Sequence, residues 1–122
     1  MEIKLLQNEG NLIRMAISGR LSRDGWVKPG DPFANLCGED VFSRTVLLSL
    51  AETTHIDSTG VEWLLRANEK FQKGGGMLVI HSATPLTRQI LKLMRMDLVL
   101  RIADNEAAAR ALANSSCQKQ QE

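Results

Sequence analysis

The segment Ile56-Asp57-Ser58-Thr59-Gly60 concentrates the residue types that could do chemistry. It joins an apolar run to an amphipathic segment, so two hydroxyls and a carboxylate are expected at the N-terminus of a helix. Free backbone N–H groups and the helix dipole favour an anion there. Helix capping explains one hydroxyl, but two hydroxyls in succession plus an aspartate exceed what a cap requires. The turn is therefore the first candidate for a functional site, with capping alone as the competing interpretation.

Other patterns for catalysis or metal binding are weak. His55 and His81 are far apart in sequence, and neither has a second His or Cys at ligand spacing. The glycines at 74–76 end a predicted helix and precede a strand, the reverse of the order in a nucleotide loop. We therefore predict no metal and no cofactor. A hydrolase with Ser58 as nucleophile and His55 or His81 as base remains an alternative, although the G-x-S-x-G elbow is absent.

The composition is typical of one globular domain. The chain has 122 residues, of which 43% are hydrophobic and 24% charged. A formal charge of +1 is too small to hold a nucleic acid by counterion release. Two cysteines give no disulfide framework, and no apolar run has the length of a membrane span or the pattern of a signal peptide. We expect a cytoplasmic protein with no nucleic-acid partner and no membrane insertion.

Hydrophobic periodicity predicts a sheet with strands of two kinds. Residues 2–18 are expected to form a hairpin, because Ile13, Met15 and Ile17 alternate with more polar positions. Three nearly continuous apolar runs are typical of strands covered on both faces, at residues 46–50, 77–80 and 98–102. Helices between these runs imply right-handed crossovers, so the fold class is α/β with a mixed sheet.

The helix after the candidate turn has several possible starts. It is expected over residues 60–73 and ends at the glycine cluster. Thr59 and Glu62 have the spacing of a capping box. Ser58 and Asp57 are alternative caps.

Two further helices complete the prediction. One begins with Thr84 as cap and Pro85 at its first position. The other covers residues 104–113, and the polar tail 114–122 is expected to be disordered and to contribute nothing to folding. Leu86, Ile90, Leu93 and Met94 are expected on one face of the first of these helices.

Residues 23–44 are rich in proline and glycine and are expected to be mostly loop. One short helix could lie between Pro32 and Gly38, with Asp31 as its cap and Phe33 and Leu36 pointing inward. Apolar anchors, which include Trp26, predict that residues 24–38 of this segment are largely ordered.

The Asp57-Ser58-Thr59-Gly60 turn lies between an apolar strand and a helix that ends in glycines, and Met96-Asp97-Leu98 follows later in the chain. In these features the sequence resembles a STAS domain, in particular the bacterial anti-sigma factor antagonists. The resemblance covers residues 3–113. It implies a single domain over residues 1–113, with a mixed sheet of about five strands flanked by helices and no intrinsic catalysis. It also implies that Ser58 is phosphorylated by a partner, an anti-sigma kinase of the histidine-kinase-like ATPase type. Asp57, Thr59 and Gly60 would form the supporting turn and part of the partner surface.

Two neighbours of the turn bear on this reading. Glu62 stands where many family members have a glycine, and its charge would oppose a phosphate if it folded back on Thr59. Trp63 is either a partner-binding anchor or a half-buried residue packed on a neighbouring helix. A second function therefore stays open, that of a scaffold subunit in a signalling or lipid-transport assembly, with Thr59 or neither hydroxyl modified. The cations Arg88, Lys92 and Arg95 are expected to be a solvated face.

Overall fold

The computed structural model describes residues 2–9, 12–21 and 32–121, and a five-stranded mixed sheet runs through them. The strands follow the order of the chain, β1 to β5; β1 and β2 are antiparallel, and the remaining neighbours are parallel. The predicted single α/β domain with a mixed sheet is confirmed. The strands are β1 (Glu2–Glu9), β2 (Leu12–Leu21), β3 (Thr45–Ile56), β4 (Met77–His81) and β5 (Arg101–Ala103), and the helices are α1 (Pro32–Cys37), α2 (Ser58–Gly74), α3 (Pro85–Leu93) and α4 (Glu106–Gln121).

The two long inner strands β2 and β3 bring the chain to the candidate turn. The predicted hairpin of β1 and β2 is present, and Ile3 pairs with Ile17. β3 is longer than the predicted run 46–50, because its pairing with β2 continues to the pair Leu21 and Ile56. Polar residues interrupt the apolar run in this extension, but backbone pairing needs no apolar side chain. The strand therefore delivers Asp57 directly to the start of α2.

Helices cover both faces of the sheet. One face carries the larger core, in which β2 contributes Ile13, Met15 and Ile17 and α2 contributes Leu64 and Phe71. The other face packs against α4 through a smaller cluster. Its buried members are Leu47, Met77, Val79, Ala103, Ala109 and Ala113.

The end of α2 agrees with the prediction from the glycine cluster. Gly75 is the residue after the helix and has φ of +85°, a left-handed conformation that favours glycine. The N–H of Gly76 donates to the carbonyls of Phe42 and Phe71, each at 2.9 Å. These bonds end the helix and direct the chain into β4. No helix in the ranges given above is both long and apolar enough to cross a membrane.

Leu86, Leu93 and Met94, which were predicted to share one face of the α3 segment with Ile90, do not pack in the core. All three are exposed, whereas Thr87 and Leu91 are buried. The Thr84 hydroxyl oxygen accepts a hydrogen bond from the Thr87 N–H at 3.3 Å, and this cap fixes the rotation of the first turn. The inward stripe is therefore the pair Thr87 and Leu91, four residues apart.

The last strand and last helix also differ from the prediction. β5 begins at Arg101, because Arg95 takes a left-handed conformation and a short 3-10 helix then occupies Met96–Leu98. α4 begins at Glu106, with the Asn105 side chain accepting from the Ala108 N–H at 2.8 Å. It continues past the predicted end at residue 113 to Gln121, since no glycine or proline stops it. That residues 114–122 contribute nothing to folding stays a prediction.

The short helix predicted in the irregular crossing is present as α1. Phe33 is fully buried, as predicted, but Leu36 is 38% exposed, so the expectation that it points inward was wrong. Phe33 contacts three aromatic rings, those of Phe42, Trp63 and Phe71. Trp26 and Asp31 lie outside the described residues. That the segment is largely ordered stays a prediction.

This packing predicts that Phe33 anchors the crossing. Phe33→Ala should lower the free energy of unfolding by about 3–5 kcal/mol, because it empties a ring-sized space in the core. Leu36→Ala, on the same helix, is the matched control and should cost less than about 1 kcal/mol. Urea unfolding of both variants measures the difference. Similar losses for the two variants would contradict this role of Phe33.

Candidate functional site

Asp57 caps α2. Its backbone is extended, and its Oδ1 accepts a hydrogen bond from the Gly60 N–H at 2.8 Å. The same oxygen accepts from the Thr59 hydroxyl at 2.5 Å. Of the three caps that the sequence allowed, the structure selects Asp57. Neither Ser58 nor Thr59 caps the helix.

The two hydroxyls of the turn have different environments. Ser58 is exposed in the first turn of α2, and its hydroxyl makes no hydrogen bond within the described part of the chain. Thr59 is half-buried and its hydroxyl is held by Asp57. Ser58 is therefore the more accessible nucleophilic oxygen, and it lies where free N–H groups and the helix dipole favour negative charge.

Gly60 is needed because α2 approaches the end of β2 closely. A Cβ at this position would lie 2.1 Å from the carbonyl oxygen of Leu21, which is far inside contact distance. The residue is also buried. Gly60 thus holds the turn against the sheet, and Leu21 is a supporting residue that no local sequence pattern indicates.

Glu62 does not form the expected capping box. Its carboxylate pairs with Arg66 one turn further along α2, at 2.7 Å. Arg66 was missed in the sequence analysis, although a Glu and an Arg four residues apart on a helix are a recognised signal for this pair. The pair directs the Glu62 charge towards Arg66 instead of Thr59. Its contribution to stability is small, because both side chains are largely exposed.

Trp63 packs on the neighbouring helix, which is the structural one of its two predicted roles. Its ring stacks on Phe33 with centroids 5.5 Å apart and planes 18° apart. The residue is half-buried and contacts the larger core. Only part of its ring is available to a partner.

Neither histidine forms a hydrogen bond with Ser58 among the described residues. His55 is exposed near the end of β3. His81 is buried at the end of β4, and its Nδ1 lies 2.8 Å from the Ser82 hydroxyl. Burial lowers the pKa of His81, the Glu106 carboxylate opposes this shift, and the Arg14 guanidinium adds to it. Within the same residues, no three His, Cys, Asp or Glu side chains lie together in a way that could hold a metal ion.

A family model described as STAS domain matches residues 5–109. The chain belongs to the STAS domain family. The match includes the whole candidate turn, four of the five strands in full, and three of the four helices in full. The predicted family is therefore confirmed.

Solved structures share this STAS fold. A candidate anti-sigma factor antagonist from Thermotoga maritima has a TM-score of 0.68 at 18% identity, with 93% of each chain covered. An anti-sigma factor antagonist from Mycobacterium paratuberculosis has a TM-score of 0.64 at 17% identity, over 93% of this chain and 95% of that one. The anti-sigma factor antagonist SpoIIAA in its unphosphorylated form has a TM-score of 0.57 at 12% identity, over 94% and 98%. No curated protein sequence matches this STAS domain significantly.

The cap geometry predicts a difference between adjacent residues. Asp57→Ala should lower the free energy of unfolding by about 1 kcal/mol, because the Gly60 N–H loses its acceptor. Ser58→Ala should change it by less than about 0.5 kcal/mol, since the Ser58 side chain makes no contact of this kind. Thermal and urea unfolding of the two variants measure the effect. A larger loss for Ser58→Ala would show that Ser58 is the cap.

The environment of His81 predicts lower stability in mild acid. An unfolded histidine binds a proton near pH 6.5, whereas burial lowers the pKa of folded His81. The unfolded state therefore binds more protons as the pH falls through this value, and the free energy of unfolding decreases. Unfolding at pH 7.5 and 5.5 should show a smaller decrease for His81→Gln than for the wild type. An identical decrease would contradict the prediction, since exposed His55 is present in both proteins.

Proposed function

We propose that this STAS domain is a protein-interaction switch of the anti-sigma factor antagonist type. It binds a regulatory kinase of the histidine-kinase-like ATPase type in the cytoplasm and is controlled by phosphorylation of Ser58. The observation that carries the proposal is the exposed and unengaged Ser58 hydroxyl in the first turn of α2. The fold it shares with anti-sigma factor antagonists supports the proposal. One of those structures is described by its phosphorylation state.

The assignment to Ser58 in preference to Thr59 follows from access. A kinase must bring the γ-phosphate of ATP in line with the attacking hydroxyl oxygen. Thr59 is half-buried and donates to Asp57, so its reaction would first break that bond. Ser58 needs no such step. Thr59 and Gly60 then act as the supporting turn.

Phosphorylation would act on binding and leave the fold unchanged. The first turn of a helix accepts added negative charge, so a phosphate at Ser58 is compatible with α2. At an interface, the same charge must lose its water, and the carboxylates of Asp57 and Glu62 are near neighbours in sequence that add repulsion. Because Glu62 is paired with Arg66, its share of this repulsion is reduced. A partner without an arginine cluster would therefore be released.

The partner surface is centred on the exposed part of this turn. Asp57, Ser58 and Glu62 are exposed, and Trp63 offers the accessible part of its ring beyond Phe33. Buried Gly60 would contribute by position and not by contact. The proposed interaction needs no catalytic group from this chain.

The alternative is a constitutive scaffold subunit of a signalling or lipid-transport assembly. The observation in its favour is Glu62, an exposed carboxylate one turn from Ser58 that a phosphate would have to tolerate. In this alternative the same surface binds its partner permanently. The two functions differ in whether a charge at Ser58 changes affinity.

The switch predicts a selective effect of charge at Ser58. Ser58→Asp should weaken binding to the proposed partner kinase more than a hundredfold, which corresponds to about 3 kcal/mol. Ser58→Asn has nearly the same size without the charge and should bind within about fivefold of Ser58→Ala. Isothermal titration calorimetry measures all three affinities. Incubation with the kinase and ATP, followed by mass spectrometry, should locate the phosphate on Ser58.

Two results would contradict the switch. Equal affinity of the Asp and Asn variants would mean that charge at this position does not control binding. Phosphate found on Thr59 alone would remove Ser58 as the modified residue. If the protein binds tightly but is not phosphorylated at all, the scaffold becomes the better explanation.

A further inference from the structure

A cluster of large apolar side chains is exposed where α3 leads into β5. Leu93 is 75% exposed and Leu98 is 78% exposed. Within the described residues, this short segment holds five of the eight exposed large hydrophobic side chains. Such a concentration is typical of an interaction surface. We define the α3 patch as Leu86, Leu93, Met94, Leu98 and Val99.

The domain does not use the α3 patch to fold. α3 packs on the sheet through Thr87 and Leu91, which are buried, whereas Leu86 and Leu93 are exposed. These two leucines are seven positions apart, about two helical turns, so they lie on one stripe along the helix. Leu98 follows this stripe five positions after Leu93, and no other described residue buries these three side chains.

Two free cations lie beside the stripe. Lys92 and Arg95 are exposed and form no ion pair with any other described residue. Arg88, earlier in the helix, is neutralised by Asp104 at 2.6 Å. Asp97 is exposed inside the patch, between Met94 and Leu98. The patch therefore combines exposed leucines, a cationic flank and one anion.

Most of the α3 patch lies at the opposite end of the parallel strands from Ser58. Ser58 follows the carboxyl end of β3, and α3 begins beyond the carboxyl end of the parallel strand β4. α3 then runs back, so that Leu93 and Leu98 precede the amino end of β5. A partner centred on Leu93 and Leu98 would lie at the other end of the sheet from the Ser58 turn.

We propose that the α3 patch is a second docking surface, which binds an acidic amphipathic helix of a partner protein whatever the state of Ser58. The partner's apolar stripe covers Leu86, Leu93 and Leu98. Its acidic flank pairs with Lys92 and Arg95, and a basic residue opposite Asp97 sets the register. Such helices are recognised by apolar anchors spaced three and four residues apart, with charges that fix orientation.

The charges favour this occupant over two others. In a symmetric dimer through α3, each copy would bring two cations, Lys92 and Arg95, but only one anion, Asp97, so the interface would keep an unfavourable excess of positive charge. On an anionic membrane, Asp97 would be forced towards the lipid headgroups together with Leu98. The net charge of +1 also gives little attraction to such a surface.

The probe is a synthetic helical peptide with leucines at every third and fourth position and glutamates on both flanks. A matched peptide carries lysines in place of the glutamates. We expect the acidic peptide to bind at least tenfold more tightly in fluorescence anisotropy. Substituting Leu93→Ser together with Leu98→Ser should weaken its binding at least tenfold, and Lys92→Glu together with Arg95→Glu should reverse the preference between peptides.

Two control variants complete the design. Leu6→Ser removes a similarly exposed leucine from β1 and should leave peptide affinity unchanged. Ser58→Asp should also leave it unchanged, so this result does not depend on whether the kinase switch exists. The substituted side chains are exposed, and circular dichroism of each variant should match that of the wild type. The salt dependence of acidic-peptide binding should change sign in the Lys92→Glu, Arg95→Glu variant, because salt then screens a repulsion instead of an attraction.

Several outcomes would overturn the proposal. Binding of neither peptide, or equal binding of both, would show that the patch has no preference for acidic helices. Sedimentation of the protein with vesicles of phosphatidylglycerol, lost in the Leu93→Ser, Leu98→Ser variant, would identify a membrane surface instead. A dimer in analytical ultracentrifugation that the same variant abolishes would identify a second copy.

Discussion

The direct packing of α2 on the end of β2 is the constraint on which the site depends. Because Gly60 has no side chain, the first turn of α2 can rest on the Leu21 carbonyl, and the Asp57 carboxylate can reach the Gly60 N–H. In the long parallel pairing of β2 with β3, Leu21 is the partner of Ile56, so the turn that follows Ile56 begins beside the end of β2. Any larger residue at position 60 would push α2 off the sheet. The exposure of Ser58 is a consequence, since the residues on either side of it are committed to holding the helix.

The elements that sequence predicted well are those whose signals are local or are averaged over many residues. The hairpin, the strands β3 and β4 and the end of α2 follow from alternation, from apolar runs and from the glycine cluster. The stripe of α3 that packs on the sheet was not predicted, because the helix has more apolar residues than one buried face needs. Helical periodicity identifies a stripe, but only the sheet and the Thr84 cap decide which stripe turns inward. β5 failed for a related reason, since Leu98 and Val99 are apolar but exposed.

The site was predictable in composition and only partly in geometry. Spacing identified the turn, Ser58 and its neighbours, yet three residues were equally suitable as the cap until the backbone was known. Glu62 shows the same limit, because it can reach back three residues to Thr59 or forward four residues to Arg66. Once Asp57 supplies the acceptor for the first turn, Thr59 is engaged by Asp57 and the ion pair with Arg66 is the remaining option. Which cap and which Glu62 pair form depends on contacts in the folded protein, and the spacing of these residues in the sequence does not specify those contacts.

Separation of the two surfaces follows from the geometry of α3. Its nine residues span about 13 Å at about 1.5 Å per residue, which exceeds the Debye length of about 8 Å at physiological ionic strength. A phosphate on Ser58 would therefore exert little force on charges around Leu98. Leu86 lies at the same end of the sheet as Ser58, but it carries no charge and would not respond to the phosphate. Lys92 and Arg95, the cations beside the α3 patch, lie in the last turn of α3 and just after it. A partner held by the patch could consequently stay bound while another exchanges at the Ser58 turn, and the domain would link the two.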